Sequence, residues 1–471
     1  MARRTTPPPK RAPRPLPCRP RRPRTETEVA RRAAADTFRR IAMPDDTETA
    51  GAGEPQWNII QTTALDPAAR DDPHSRLKAL RQRCPVMRDE PVKSWFLTRY
   101  ADVRQTVNDA SIWRASSHAE DGALLKRPPE QMLGRQESIL TLDNPDHARV
   151  RPPLAQAFYG RINRMKLRLE EVIDEVIDAL PSGQPFDLMS DVAIPVPILV
   201  IAHVLGVEPD RRREFRDWSE AVILSLNPFR SPEQAARAEW GSAQLTAYFT
   251  DLMAMRRASP QEDLISDMVK LQADGAALSD DEVRVNLSAL LVGGNLTTTD
   301  LIGNGVWLLL THPEEWRKLT ADPAALSGSA VEEILRFEGP VAITSRVTEA
   351  PRQVCGREIP AGQLLITSLH GANRDPEVFE EPDHFDITRK RAPHVAFGGG
   401  AHICIGAPLA RLEAKRALQR LAERFPALRL TQTDPPKWRT LPFFRGIESL
   451  TVVGEPSRSD SEAGSRLDAP A

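Results

Sequence analysis

The sequence has little cysteine and little net charge. It contains four cysteines in 471 residues, none of them in a Cys-x-x-Cys pair, and its formal net charge is -2. Such sparse cysteines exclude a disulfide framework and indicate a reducing, cytoplasmic compartment. The near-zero charge gives no reason to expect that the body of the chain binds nucleic acid.

Long uninterrupted apolar runs are also missing. The most apolar stretch, which ends at Leu310, is interrupted by Asn295, Asp300 and Asn304 before about 18 clean residues accumulate, so a transmembrane helix is not predicted. The N-terminus lacks the apolar segment of a signal peptide. With 40% hydrophobic residues, the chain can still build a large core.

The two ends differ from the body. Residues 1–42 hold 13 Arg and Lys against three acids, with dense proline, which predicts a disordered basic extension. Such a tail could touch nucleic acid or acidic lipid, but we expect it to be dispensable, with Met43 as an alternative start. A linker over 43–56, one folded unit over 57–454 and a disordered tail over 455–471 complete the expected organisation.

The most informative segment reads Phe397-Gly-Gly-Gly-Ala-His-Ile-Cys-Ile-Gly406, after which Ala407-Pro408 opens a predicted helix. A thiol before a helix N-terminus is favoured as thiolate. The glycines allow close approach of a large flat ligand. A buried structural cysteine is the ordinary alternative. A phosphate loop would need Gly-Lys-Ser/Thr, and zinc would need two or more ligands beyond His402 and Cys404.

Two further segments have the periodicity of helices. Ser279-Asp-Asp-Glu282 is a capping box before a long, mostly apolar run that carries Gly293-Gly294-Asn295-Leu296-Thr297 at its middle. The helix would span on the order of 45 Å, and its two glycines cost about 2 kcal/mol relative to alanine. A cofactor approaching closely or a local bulge would explain them, and a merely buried core helix is the ordinary alternative when the segment is taken alone.

Glu333 and Arg336 lie three residues apart in another helical stretch, so their side chains share one face. An exposed ion pair of this kind would contribute only a few tenths of a kcal/mol. An exposed ion pair is the ordinary interpretation when the two residues are considered without the other motifs.

Taken together, these motifs resemble the cytochrome P450 family in residue type, order and spacing, from about Trp57 to Gly454. The resemblance implies a mainly α fold with a small β portion, and haem b between the long helix and the Cys-loop helix. Cys404 would be the axial thiolate ligand of the iron, in a loop framed by Phe397, Gly398 and Gly406.

The resemblance also assigns the surroundings of the haem. His147 and Arg151 match the family's His-x-x-x-Arg signature and, with Arg346 and His402, would hold the propionates. Pro152-Pro153 directly after Arg151 predicts a kink or restart of that helix. Gly293 and Gly294 would let the haem approach the long helix.

Further roles follow from the same comparison with the family. Thr297 would face bound dioxygen, while Leu296 stands where the family has an acid. Asn295 could then orient water, and Asp300 could feed protons through water. Glu333 and Arg336 would form the family's buried Glu-x-x-Arg pair, with His384 at the position of a third arginine and Arg389 as a substitute.

The implied function is a monooxygenase that inserts one oxygen atom of O₂ into a hydrophobic small molecule. Electrons would come from a separate ferredoxin and ferredoxin reductase, and we expect a monomer that binds neither membrane nor nucleic acid. Two alternatives stay open because of Leu296: a peroxide-driven peroxygenase, and a haem-containing binding or sensor protein. The expected pocket walls are 116–139, 224–249, 341–344 and 441–444.

Overall fold

The structure of the protein is a computed structural model that describes residues 57–126, 137–390, 393–431 and 434–455. The predictions for residues 1–56, and for the tail beyond Glu455, lie outside these ranges.

Helices dominate the described ranges, as the sequence predicted. They are α1 (Pro67–Asp71), α2 (Pro73–Arg83), α3 (Tyr100–Asn108), α4 (Asp146–Asp178), α5 (Pro195–Leu205), α6 (Arg212–Ile223), α7 (Pro232–Ala258), α8 (Leu264–Ala273), α9 (Asp280–Thr311), α10 (Pro313–Ala321), α11 (Pro323–Glu338), α12 (Leu369–Asn373) and α13 (Ala407–Arg424). The helices of the described ranges include none that is both long and apolar enough to cross a bilayer.

The β portion is small. Its strands are β1 (Val86–Asp89), β2 (Ser94–Leu97), β3 (Phe186–Asp187), β4 (Ile343–Val347), β5 (Arg352–Val354), β6 (Arg357–Ile359), β7 (Leu364–Ser368), β8 (Arg429–Leu430) and β9 (Thr451–Val453). One sheet has the order β1-β2-β7-β4, with β2 and β7 parallel and the other pairs antiparallel. The antiparallel β1–β2 pair leads into α3.

The long helix α9 passes through the main hydrophobic core. The Ser279 hydroxyl accepts the backbone N–H of Glu282, and the Glu282 carboxylate accepts that of Ser279, which is the predicted capping box. Apolar side chains along the helix, such as Leu287, Leu291, Ile302 and Leu309, are almost completely buried. No bulge occurs at the two glycines, because the helix remains α-helical throughout.

The restart of the helix predicted at Pro152-Pro153 does not occur. Helix α4 continues through both prolines to Asp178. Each proline removes one backbone donor, but Leu154 and Phe158 directly downstream are buried in the main core. This packing holds the segment helical in spite of the two missing hydrogen bonds.

A two-stranded turn near the C-terminus, which we call the 438–447 hairpin, reaches back over the helical core. Trp438 pairs with Ile447 as an isolated bridge, and the Arg439 N–H donates to the Gly446 carbonyl at 2.9 Å. Its tip is fixed to the segment before β4, because the Ala342 N–H donates to the Phe443 carbonyl at 3.0 Å. Two predicted pocket walls, 341–344 and 441–444, are therefore in contact.

Candidate active site

The loop before α13 turns tightly around Cys404. The Cys404 N–H donates to the Phe397 carbonyl at 3.0 Å, and the Ile403 N–H donates to the Gly400 carbonyl at 3.2 Å. Gly398 and Gly400 have φ of +71° and +62°, a region that other residues rarely adopt. The thiol is consequently presented just before the N-terminus of α13.

Two of the loop glycines are explained by protein packing and not by a ligand. A Cβ on Gly399 would lie 2.8 Å from the Asn108 Oδ1, and a Cβ on Gly400 would lie 2.7 Å from the Val107 carbonyl oxygen. The loop therefore packs directly on the end of α3. At Gly406, by contrast, a Cβ would meet the Cys404 Sγ at an ordinary 3.8 Å.

The Cys404 side chain is accessible, although protein surrounds it closely. Desolvation raises the pKa of the Cys404 thiol, against the opposing effects of the Gly406 and Ala407 backbone N–H groups and of Arg151. The helix N-terminus thus acts in the predicted direction, but in the protein alone burial outweighs it. A cation bound at the sulfur would reverse this balance.

Next to this loop lies a group of basic side chains, which we call the cation cluster, formed by His147, His402, Arg346 and Arg114. The rings of His147 and His402 lie 4.1 Å apart between centroids. Among the described residues, the buried His147 Nε2 and His402 Nδ1 have no hydrogen-bond partner. Arg346 donates to the Val107 carbonyl at 3.0 Å, and Arg114 donates to the Ser345 hydroxyl at 3.0 Å.

The members of the cluster disfavour one another's charge. Burial, and then the neighbouring Arg114, lowers the pKa of Arg346 to about 9. Burial lowers the pKa of His402 to about 3, with further contributions from His147 and Arg346. Asp143 is the carboxylate that opposes this effect on Arg346 and Arg114. Basic side chains concentrated in this way form a suitable site for a ligand that carries carboxylates, whose negative charge would favour their protonated forms.

Arg151 lies between the cluster and the thiol. Its guanidinium donates to the Ile403 carbonyl, and its charge acts on both His147 and Cys404. The predicted cofactor residues on α4, on β4 and in the Cys loop are thus brought together. Arg114 was missed, because it lies in a non-helical segment after Trp113 and no motif or periodicity distinguishes it there.

The middle of α9 is open on one face. Gly293 is exposed, and a Cβ there would find no atom within 4 Å, while Leu296 and Thr297 are partly exposed. The Thr297 hydroxyl donates to the Gly293 carbonyl at 2.8 Å. Open space beside a mid-helix glycine in a buried helix is what close approach of a ligand requires. Gly294 instead packs against Ile201 at ordinary distances.

Two predicted proton-delivery residues do not lie on this open surface. Asn295 is buried on the face opposite Gly293 and Thr297, because it follows Gly293 by about 200° around the helix. Asp300 is near the Thr297 face but is completely buried beneath the 438–447 hairpin. Its carboxylate forms an ion pair with Arg439 at 2.7 Å.

Glu333 and Arg336 form a buried pair with two hydrogen bonds of 2.7 Å. Their side chains are 1% and 0% exposed, which excludes the surface pair considered from the sequence. Arg336 also donates to the carbonyls of Asn373, Pro382 and His384. The pair therefore ties α11 to the segment that follows α12.

The expectation for His384 needs correction. Its side chain is exposed and makes no hydrogen bond with the pair, whereas its backbone carbonyl accepts from Arg336 and Arg389. Arg389 supplies the third guanidinium, 3.2 Å from Glu333. Arg389 follows His384 by five residues in an irregular segment, so only the folded chain shows which of the two reaches Glu333.

The chain was compared with protein-family models and with curated proteins. Residues 235–447 match the model described as Cytochrome P450. Cytochrome P450 107B1 of Saccharopolyspora erythraea is 39% identical over 406 residues, which cover 83% of this chain and 96% of that protein. Vitamin D(3) 25-hydroxylase of Pseudonocardia autotrophica is 37% identical, with 82% and 94% covered.

Solved structures agree with these relatives. The myxobacterial cytochrome P450 CYP267B1, in complex with myristic acid, superimposes with a TM-score of 0.75 at 34% sequence identity. The match covers 83% of this chain and 98% of that chain. The similarity therefore extends across nearly the whole length of both the relatives and this structural neighbour.

Proposed function

The chain belongs to the cytochrome P450 family and is a P450 monooxygenase, and we propose that it inserts one oxygen atom of O₂ into a hydrophobic small molecule. The observation that carries this proposal is the cation cluster beside an accessible Cys404. Two histidines whose buried ring nitrogens lack partners among the described residues, together with the buried guanidinium of Arg346, fit the two carboxylates of haem b, and the thiol fits its iron.

In this proposal, the residues on either side of the site hold the cofactor. Cys404 supplies the axial thiolate, and His147, Arg346, His402 and Arg114 bind the propionates. Arg151 fixes the Cys loop through the Ile403 carbonyl. Haem ligated by thiolate supplies the activation of O₂.

The open face of α9 would form the oxygen-binding side. Gly293 leaves room there, and the Thr297 hydroxyl can exchange its bond with the Gly293 carbonyl for one with a ligand. Leu296 cannot donate or accept a proton. Protons must then reach Thr297 from water, which should make turnover slower than in relatives with an acid at that position.

A hydrophobic substrate is supported by two observations. The half-buried Leu441 and Phe444 of the 438–447 hairpin, together with Leu296, offer apolar surface without charge. The names of two relatives mention apolar molecules, vitamin D(3) and myristic acid. We further propose that a separate ferredoxin and ferredoxin reductase supply the electrons.

The absorbance spectrum of the reduced protein with bound carbon monoxide tests whether Cys404 ligates the haem iron. Intact protein should show the strongly red-shifted Soret band of thiolate ligation, and Cys404→Ala should lose it. As a matched control, Cys355→Ala removes another accessible cysteine and should keep the band. A spectrum of the histidine-ligated type in intact protein would contradict the assignment.

A peroxide-driven reaction is the second candidate, and Leu296 favours it because peroxide brings its own protons. The two reactions are separated by supplying either NADH with a ferredoxin and its reductase, or hydrogen peroxide alone. Product that forms only with peroxide would support the peroxygenase. Product formed with NADH and lost under anaerobic conditions would support the monooxygenase.

A further inference from the structure

Asp300 is surrounded by groups from three parts of the chain. Arg439 of the 438–447 hairpin lies 2.7 Å from its Oδ1, and Arg216 of α6 acts on it electrostatically. Arg216 also pairs with Glu220 on its own helix at 2.5 Å. Asp300 itself belongs to α9, so its carboxylate pairs α9 with the hairpin and lies within electrostatic range of α6.

The hairpin is shaped around this carboxylate. A Cβ on Gly446 would lie 2.0 Å from the Asp300 Oδ1, so only glycine lets the strand pass over it. The Arg439 N–H bonds the Gly446 carbonyl, which places the guanidinium and the glycine on adjacent strands above the same acid. Such a close fit indicates that Asp300 positions the hairpin.

We propose that the Asp300–Arg439 pair fixes the 438–447 hairpin on α9 and thereby sets the pocket wall formed by its tip. Asp300 is thus a positioning residue, which differs from the water-linked proton source expected from the sequence. The role in fixing the hairpin is independent of the reaction. Its consequence for ligand choice rests on the proposed function.

The pair should matter only while Asp300 is charged. Desolvation raises the pKa of Asp300 to about 7, and Arg439 and Arg216 oppose that rise. Without Arg439, the charged carboxyl would be buried without its nearest counter-ion, which favours opening of the hairpin. Asp300 can avoid this unpaired charge by taking up a proton. At pH 8, one unit above that pKa, protonation costs about a factor of ten, so the loss of Arg439 can raise the open fraction of the hairpin by about tenfold at most.

Hydrogen exchange of the haem-loaded full chain measures this effect at three amides that close the hairpin. Ala342 donates to the Phe443 carbonyl, Phe444 to that of Leu441, and Arg445 to that of Pro340. After correction for the intrinsic pH dependence, Arg439→Gln should speed their exchange about tenfold at pH 8 and hardly at pH 6. The double variant Asp300→Asn/Arg439→Gln should return to within about twofold of Asp300→Asn.

Lys437→Gln is the matched control. Lys437 directly precedes the hairpin and forms an exposed pair with Glu448, which directly follows it, so its loss should leave exchange unchanged at both pH values. The proposal is overturned if Arg439→Gln behaves like this control. It is equally overturned if the acceleration is the same at pH 6 and pH 8, or if the double variant exchanges as fast as Arg439→Gln.

Two ligands of different size test the consequence for the pocket. Dissociation constants are measured by absorbance titration of the haem with imidazole and with 1-phenylimidazole. At pH 8, Arg439→Gln should change the constant for phenylimidazole severalfold and leave the constant for imidazole, the smaller ligand, nearly unchanged. Equal constants for phenylimidazole in both proteins would reject the pocket role. Failure of haem to bind would reject the proposed function, and the exchange test would then be made on the haem-free full chain, because the Asp300–Arg439 pair is formed by the protein alone.

Discussion

The buried pair of Glu333 and Arg336 allows a quantitative prediction. Both carboxylate oxygens of Glu333 accept from Arg336 at 2.7 Å, and neither side chain reaches solvent. Removing one partner of such a pair leaves a buried charge uncompensated, which costs about 3–5 kcal/mol. We therefore expect Glu333→Gln to lower the folding equilibrium constant about 10²- to 10³-fold or more, at about 1.4 kcal/mol per factor of ten.

The structure also predicts which of the two arginine partners of Glu333 contributes more to stability. Arg336 retains three backbone carbonyl acceptors when Glu333 is replaced, but none of them carries a charge. Arg389 reaches Glu333 only through its Nε, which lies 3.2 Å from both carboxylate oxygens, and it is partly exposed, so Arg389→Met should cost clearly less than Arg336→Met. The order expected for stability loss is Arg336→Met, then Arg389→Met.

Urea unfolding of haem-loaded protein, followed by circular dichroism and by haem absorbance, measures these losses. Glu314→Gln is the matched control, because Glu314 and Arg317 have the same three-residue spacing on the neighbouring helix but are 70% and 66% exposed. That change should leave the midpoint nearly unchanged. Equal midpoints for Glu333→Gln and Glu314→Gln, with full haem loading in both, would refute the reasoning.

Four further outcomes are expected. Arg114→Met should lower haem retention during gel filtration severalfold, because a member of the cation cluster is lost, whereas the exposed Arg164→Gln should not. Leu296→Asp should raise the fraction of NADH electrons that end in product, since an acid typically contributes about 10²–10⁴-fold to a proton transfer; an unchanged fraction would show that Leu296 does not limit turnover. Burial raises the pKa of Glu413 well above its usual value, so stability should fall as pH rises from about 4.5 towards that pKa; Glu413→Gln should flatten the fall in a series of thermal melts. Deleting residues 1–42 should leave haem content and turnover intact, and loss of folding would show that this segment is ordered.

Local signals in the sequence were sufficient for the elements that depend on neighbouring residues. The capping box at Ser279, the turn before α13 and the spacing of Glu333 and Arg336 are decided over three or four residues, so the pattern predicted them. The motif at Cys404 identified the family for the same reason, because its residues are contiguous. The comparisons with known proteins confirm that family and the mainly α fold.

Contacts between distant segments were decided only by the tertiary structure. Arg114 joins His147, His402 and Arg346 across more than 200 residues, and no periodicity predicts such a meeting. Arg389 reaches Glu333 where the spacing pointed to His384, because an irregular backbone sets which side chain turns inward. The sequence placed Asp300 near Thr297 by helix geometry, but the 438–447 hairpin covers it and supplies Arg439. Burial and charge pairing depend on the whole fold, so the chemical character of these residues could not be predicted from their neighbours in the chain.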